Sequence, residues 1–345
     1  MLVRMDEAAD PAKTPADGTA TGTAKLPAGR SAAFGWLFAA MMAFGLVAPF
    51  VAYPVFVMKV LCFALFAAAF NLLIGYVGLL SFGHAMFFGG AAYACGYAIK
   101  TLGLTPELGI LAGMAFAGLL GAAVGWLAIR RQGIYFAMVT LALAQMFFFV
   151  CLQTPITGGE DGIQAIPRRP LFGLIPTTDD LTLYYIVLAL FGAAFLALYR
   201  IVHSPFGQVL KAIRENEPRA ISLGYRVERY KLLAFVLSAA FAGMAGAMKT
   251  VVFQLASLTD VAWQMSGEVV LMTLVGGMGT IFGPVVGAGI IVAMQNYLSG
   301  IGEWVLVAQG LVFVLAVLLF RRGIVGEIAA LIDRRTRAKA ERDNG

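Results

Sequence analysis

From residue 32 onward the chain alternates long apolar runs with short polar gaps. The runs fall near 32–52, 55–76, 80–99, 108–129, 133–153, 181–200, 231–253, 265–279, 283–299 and 302–320. A hydrocarbon core about 30 Å thick needs roughly 20 apolar residues at 1.5 Å of rise each, and most runs meet that length. None alternates residue by residue as a membrane β-strand does, so the runs are predicted to be helices. One stretch breaks the pattern. His203 to Lys231, HSPFGQVLKAIRENEPRAISLGYRVERYK, is densely charged and must face water. Within it Phe206, Val209, Leu210 and Ile213 stand at i, i+3, i+4 and i+7, while Gln208, Lys211 and Arg214 take the opposite face. That spacing predicts an amphipathic helix. Pro218 after Glu217, and Gly224 after Ala220, Ile221 and Leu223, predict a second short helix over 218–223. The pair makes a helical elbow.

Composition turns the runs into a fold class. Hydrophobic residues are 60% of the 345 and charged residues 13%, with a mean hydropathy of +0.85. These values indicate an all-α polytopic integral membrane helical bundle rather than a soluble domain. The net charge of +6 does not point to nucleic acid, because the basic residues cluster beside the apolar runs, as they do on cytoplasmic loops. Cys62, Cys95 and Cys151 lie inside apolar runs without CxxC spacing, so neither a disulfide framework nor a metal site is indicated. Residues 1–31 mix charges, prolines and small polar residues without an apolar segment and are expected to be a disordered cytoplasmic leader.

Charge also fixes direction. Arg130 and Arg131 close the fourth run, the elbow follows the sixth, and Arg321 and Arg322 open a basic tail over 321–345. All three are expected on the cytoplasmic side, together with both termini. The stretch 155–180, with Glu160, Asp161, Asp179 and Asp180, then falls outside. Parity requires 265–279 to cross, giving about ten spans. If it only re-enters there are nine, and the tail lands on the wrong side. The expected organisation is a leader at 1–31, a transmembrane domain at 32–320 holding the elbow at 203–231, and a tail at 321–345.

Two runs are interrupted. Residues 75–90, GYVGLLSFGHAMFFGG, and 266–292, around Gly276, Gly277, Gly279, Gly283 and Pro284, each carry spaced glycines and a Phe-Gly pair. Broken backbone at membrane depth survives only against protein or a water-filled cavity, so the pair is a candidate for two broken segments beside a translocation path. Close helix packing through small residues is the alternative, as for the GxxxG spacing of Gly121 and Gly125. Asn71, Ser81, His84, Tyr135, Thr140 and Gln145, with Gly276 and Gly279, are the path candidates, while each side chain taken alone reads first as a helix-to-helix hydrogen bond. Lys59 near the end of its run can snorkel, and Lys249 and Glu268 are placed to pair or to meet an incoming zwitterion.

At the elbow the residues carry a resemblance. A loop placed before the last four spans and ending in ENEPRAISLGY is similar to the coupling (EAA) loop of ATP-binding-cassette importer permeases. The wording SPFGQVLKAIRENEPRAISLGYRVERYKLLAFVLSAAFAGMAGA resembles the branched-chain amino acid permeases of the LivM type, as do NLLIGYVGLLSFGHAMFFGGAAY, YFAMVTLALAQ, TGGEDG and LVGGMGTIFGPVVGA in the same order. The likeness covers roughly 60–325. It implies a subunit of the bacterial inner membrane that pairs with a second, LivH-like permease and works with two cytoplasmic ABC ATPases and a periplasmic substrate-binding protein. By position it implies that Phe206, Leu210, Ile213, Arg214, Glu215, Asn216, Glu217, Ala220, Leu223 and Gly224 couple to an ATPase.

The chain lacks its own nucleotide motif. The string nearest a P-loop, GMAGAMKT at 243–250, has Met248 where the second glycine is required and sits in an apolar run. No cofactor, metal ligand set or catalytic constellation is expected, and ATP would be used by the partners. His203 is expected to cap the end of a span. The substrate stays open among branched-chain or related amino acids, urea and other small polar solutes. An ion-coupled secondary transporter is the contrasting reading, and it would call for carboxylates in mid-span, whereas Glu268 and Glu303 lie near span ends.

Overall fold

The computed structural model describes residues 28–298, except 172, 174–176 and 178, together with isolated positions and a short piece between 307 and 327. Most of the expected leader, last run and basic tail lie outside the described residues. The chain divides into two units, residues 1–43 and residues 44–345, with helix α1 (Ala28–Val51) beginning in the first and ending in the second. The second unit holds α2 (Pro54–Tyr76), α3 (His84–Lys100), α4 (Pro106–Ala128), α5 (Ile134–Gln153), α6 (Asp180–His203), α7 (Pro205–Glu215), α8 (Glu217–Ser222), α9 (Val227–Phe253), α10 (Trp263–Gly276) and α11 (Gly283–Leu298). Six helices, α1, α2, α4, α5, α6 and α9, are long and apolar enough to cross a membrane. The protein is an all-α polytopic membrane bundle.

Local chemistry sets the helix ends. Proline begins α2, α4 and α7, where its missing N–H has no intrahelical partner to lose. Asp179 caps α6, accepting from the Thr182 backbone N–H at 3.1 Å and its hydroxyl at 3.0 Å. Those bonds, the backbone one first, hold the Asp179 carboxyl below its ordinary pKa. His203 sits at the other end with Nδ1 3.0 Å from the Tyr199 carbonyl, a cap on the last turn as expected. Two boundaries differ from the hydropathy pattern. Helix α3 starts at His84 rather than 80, because Gly78 takes φ +81° and the chain leaves the helix after Tyr76. Helix α9 starts at Val227 rather than 231, its polar first turn belonging to the elbow.

Small residues build the core. A side chain on Gly121 would meet the Ala239 methyl at 2.5 Å, and one on Gly125 would meet Leu232 and Phe235 at 2.9 Å. Gly113 would meet the Ala91 carbonyl at 2.8 Å and the Ala247 methyl at 3.0 Å. These positions pair 125 with 232 and 113 with 247, so α4 and α9 run antiparallel at near backbone contact, which is the packing reading of the GxxxG spacing. Helix α3 lies against α2 through Phe88 on Phe66 (4.5 Å) and His84 on Phe70 (4.9 Å). Cys62, Cys95 and Cys151 are buried within their helices.

The α10–α11 pair settles how the second interruption is built. Tyr297 meets Phe56 near the start of α2, with ring centroids 6.1 Å apart, while Asn71 near its end bonds Gly279 and Thr280. Gln295 Nε2 donates to Glu268 at 3.0 Å, and Thr273 Oγ1 lies 3.4 Å from the Ala67 carbonyl. Helix α11 is thus antiparallel to α2 and α10 parallel to it, and the 14 residues of α10 cover about 21 Å, ending at the turn that Asn71 holds.

Ile163, Gln164 and Arg168, between α5 and α6, pack at the end of α6 far from the elbow. Ile163 bridges Ala256, Lys100 Nζ donates to the Gln164 carbonyl at 2.7 Å, and Arg168 pairs with Asp180 at 2.7 Å while donating to the Val252 carbonyl at 3.1 Å.

Candidate functional site

The elbow has a core of its own. Ile213, Ala220 and Val227 form a buried cluster, with Val209 and Tyr230 packed on it and Phe206 stacked on Tyr230 at 5.8 Å, while Leu210 is buried outside that cluster. Ser204 caps α7 and Asn216 caps α8, its Oδ1 accepting from the Arg219 N–H at 3.0 Å. Lys231, 5% exposed, is neutralised by Glu217 at 2.6 Å, which ties α8 to α9. A buried ammonium needs such a partner, so the pair holds the elbow at one angle to the spans. Ile213 and Ala220 therefore shape the elbow from within. Its exposed tip is made by Glu215, Asn216, Leu223 and Gly224, joined by Ile221 and Tyr225, which the apolar stripe alone did not single out. Gly224 closes α8 at φ +86°, a conformation that a side chain would strain.

The two helix breaks meet. Asn71 Nδ2 donates to the Thr280 carbonyl at 2.8 Å, and its Oδ1 accepts from the Gly279 N–H at 2.9 Å. A side chain on Gly75 would lie 2.7 Å from the Gly279 nitrogen. Thr280 Oγ1 donates to the Gly277 carbonyl at 2.7 Å and accepts from the Gly283 N–H at 3.1 Å, closing the second break on itself. Gly276 and Gly283 abut through their backbones, so packing explains Gly276 while Gly279 belongs to the junction.

The first break is tethered on three sides. The Phe82 N–H reaches Thr140 Oγ1 at 3.2 Å, the Gly83 N–H reaches Ser81 Oγ at 3.2 Å, and the Ala85 N–H reaches Ser266 Oγ at 2.9 Å. Ser238 Oγ donates to the Ala69 carbonyl at 2.6 Å, so it accepts from His84 Nε2 at 2.9 Å, which places the imidazole proton on Nε2. His84 is fully buried, edge-on to Phe70, Phe87 and Phe235. Asn71, His84 and Thr140 thus stand around the breaks as tethers between separate elements, while Ser81 holds the first break on itself. Tyr135 is not among them; it is 68% exposed on α5.

At the end far from the elbow, Gln145 lines a cleft of about 420 Å³ with Phe148, Glu160, Ser257, Thr259, Trp263 and Gln264. A second cleft of about 360 Å³ shares Trp263 and Gln264 and reaches Glu268. Lys249 does not pair with Glu268. It pairs with Asp260, only 1% exposed, while Glu268 takes Gln295. Asp260 lies eleven residues beyond Lys249 on a 3-10 turn, and no periodicity ties the two together.

Comparison with known proteins matches this arrangement to permeases. The family model described as branched-chain amino acid transport system / permease component matches residues 53–320. The chain is 30% identical over 283 residues to the high-affinity branched-chain amino acid transport system permease protein LivM of Escherichia coli (strain K12), covering 74% of this chain and 65% of that protein. It is 26% identical over 235 residues to the probable branched-chain amino acid transport permease protein LivM of Methanocaldococcus jannaschii, covering 62% of this chain and 67% of that one. Over 138 residues it is 32% identical to the ribose import permease protein RbsC of Bacillus subtilis (strain 168), covering 37% and 43%. The chain thus spans somewhat less than two thirds of the E. coli relative's length. No solved structure matches it. With a helical membrane frame, a capped elbow and a family match over most of its residues, the chain belongs to the branched-chain amino acid transport system / permease component family.

Proposed function

We propose that this chain is the membrane-spanning subunit of an ATP-binding-cassette importer that moves branched-chain or related amino acids into the cytoplasm. Partner ATPases dock on the 203–231 elbow, a second LivH-like permease completes the channel, and a periplasmic binding protein delivers substrate. The membrane is the bacterial inner membrane, with both termini cytoplasmic.

The observation that carries this reading is the elbow itself. A charged two-helix element with its own buried core presents exposed Ile221, Leu223 and Tyr225 at its tip. Apolar side chains held on a rigid scaffold outside the spans suit a groove on a partner protein. Ile213 and Ala220 contribute by keeping the scaffold stiff, because a ligand shifts an equilibrium only through contacts that differ between states. Substrate enters at the cleft beside Gln145, Glu160 and Trp263, where one carboxylate among neutral polar groups gives an amino acid weak binding and ready release. ATP is used by the partners, and no cofactor is required of this chain.

Labelled leucine uptake into vesicles holding the full set of subunits, with and without the ATPases, tests the reading. ATP-dependent uptake that vanishes without them supports it. Uptake persisting on an ion gradient alone overturns it in favour of a secondary transporter. Competition by ribose, urea and other small solutes decides the substrate class, since one relative is named for ribose import.

A further inference from the structure

We propose that Arg214 is the positioning residue that pins the elbow to the paired helix breaks and carries the elbow's movement to them. The proposal rests on the coupling function proposed above and names its point of transmission. Arg214 lies on α7 but turns away from the elbow tip. Its Nη1 donates to the Gly75 carbonyl at the last turn of α2. Its Cγ would lie 3.2 Å from a side chain on Gly78, and Nη1 would lie 3.3 Å from one on Gly279. Both glycines are at positive φ, +81° and +74°, so the backbone of each break is shaped around the arginine stem and head.

The Gly75 carbonyl is available for a physical reason. The N–H groups of Val77, Gly78 and Leu79 all turn back to the Leu73 carbonyl, at 3.1, 3.0 and 3.3 Å. The carbonyls that follow lack helical donors, and a cation is favoured there by the helix dipole. Among the described residues Arg214 makes no ion pair. Its charge is committed to the helix end. Lys211, three residues earlier on α7, places Nζ 5.7 Å from the Tyr76 ring centroid, so the same face of α7 holds α2 twice. Because Asn71 already joins Gly279 to α2, three elements meet at Arg214: the coupling helix, the end of α2 and the α10–α11 turn. Displacing α7 must move the guanidinium against both breaks or release the Gly75 carbonyl. A planar fork on a long stem can fill the gap and donate at its end, which a lysine does less well.

Two measurements decide this. In the complete reconstituted transporter, Arg214→Gln should raise the ATP hydrolysed per amino acid imported by about tenfold, as expected for losing one coupling contact, while ATP hydrolysis and ATPase co-purification stay near wild type. Arg214→Lys should recover part of the ratio. In the purified chain alone, hydrogen exchange of segments 76–80 and 277–283 should speed up together in Arg214→Gln, with the elbow core unchanged. An unchanged ratio beside an active wild type overturns the pin, as does loss of ATPase binding, which would make Arg214 a docking residue. Unchanged exchange at both breaks overturns the contact itself. A wild-type complex without ATP-dependent uptake, combined with faster exchange in the variant, would instead reject the importer reading and leave the mechanical link standing.

Discussion

The two helix breaks look alike in sequence and are built differently. The first, between α2 and α3, is fastened by side chains from three other helices: Thr140 of α5, Ser266 of α10 and Ser238 of α9 through His84. Except for Gly78, Leu80 and Phe82 its residues are buried. The second, between α10 and α11, is held by Asn71 and by its own Thr280, and Met278 to Phe282 are partly exposed. Backbone polar groups at membrane depth must be satisfied in either case, but the number of independent helices that satisfy them differs. The first break is thus fastened by side chains from more helices than the second, and the second is expected to be the more readily displaced of the two.

The largest effect is expected where the two touch. Gly75→Val puts a side chain against the Gly279 nitrogen and should cost about 3 kcal/mol or prevent folding, read as loss of monodisperse protein on detergent chromatography. A stable, transporting variant would show that the breaks are not in obligatory contact. Next, Ser266→Ala leaves the Ala85 N–H buried without its acceptor and should cost about 2 kcal/mol in thermal stability while ATP per substrate is unchanged. Uncoupling without destabilisation would make the first break the moving one.

Asn71→Ala should behave in the opposite way. Two interhelical bonds at about 0.6 kcal/mol each give a modest stability loss, yet uptake should fall clearly because the second break loses its guide. Equal losses in Ser266→Ala and Asn71→Ala would erase the distinction. The smallest change is at a remote control, Asp179→Asn at the α6 cap. The native carboxyl has its pKa lowered by the Thr182 bonds, so its contribution is complete above the unfolded value near 4 and fades as pH falls through the lowered folded value. The variant should lose that acid dependence and leave uptake at neutral pH untouched.

Much of this frame was legible in the residue order. The apolar stripe of Phe206, Val209, Leu210 and Ile213 foretold α7, and Pro218 and Gly224 bracketed α8, because helix periodicity and end signals are local. Glycine spacing marked both breaks. The partner of Lys249 was not legible: Asp260 and Glu268 are both near in sequence, and the turn at 258–260 selects the first. Tyr135 was a path candidate by its motif, and only the packing of α5 shows it 68% exposed and apart from the tethers.

The sequence by itself determined that this chain is a helical membrane protein, roughly where its long helices lie, and that a charged elbow interrupts them, since hydrophobic transfer and backbone satisfaction act over one span at a time. Only the tertiary structure decided that the two breaks touch through Asn71, that α10 lies parallel to α2 with Thr273 against Ala67, and that Arg214 reaches Gly75 from 139 residues away. Contacts of that kind depend on how glycine-lined helices nest against each other, and no single segment contains that geometry.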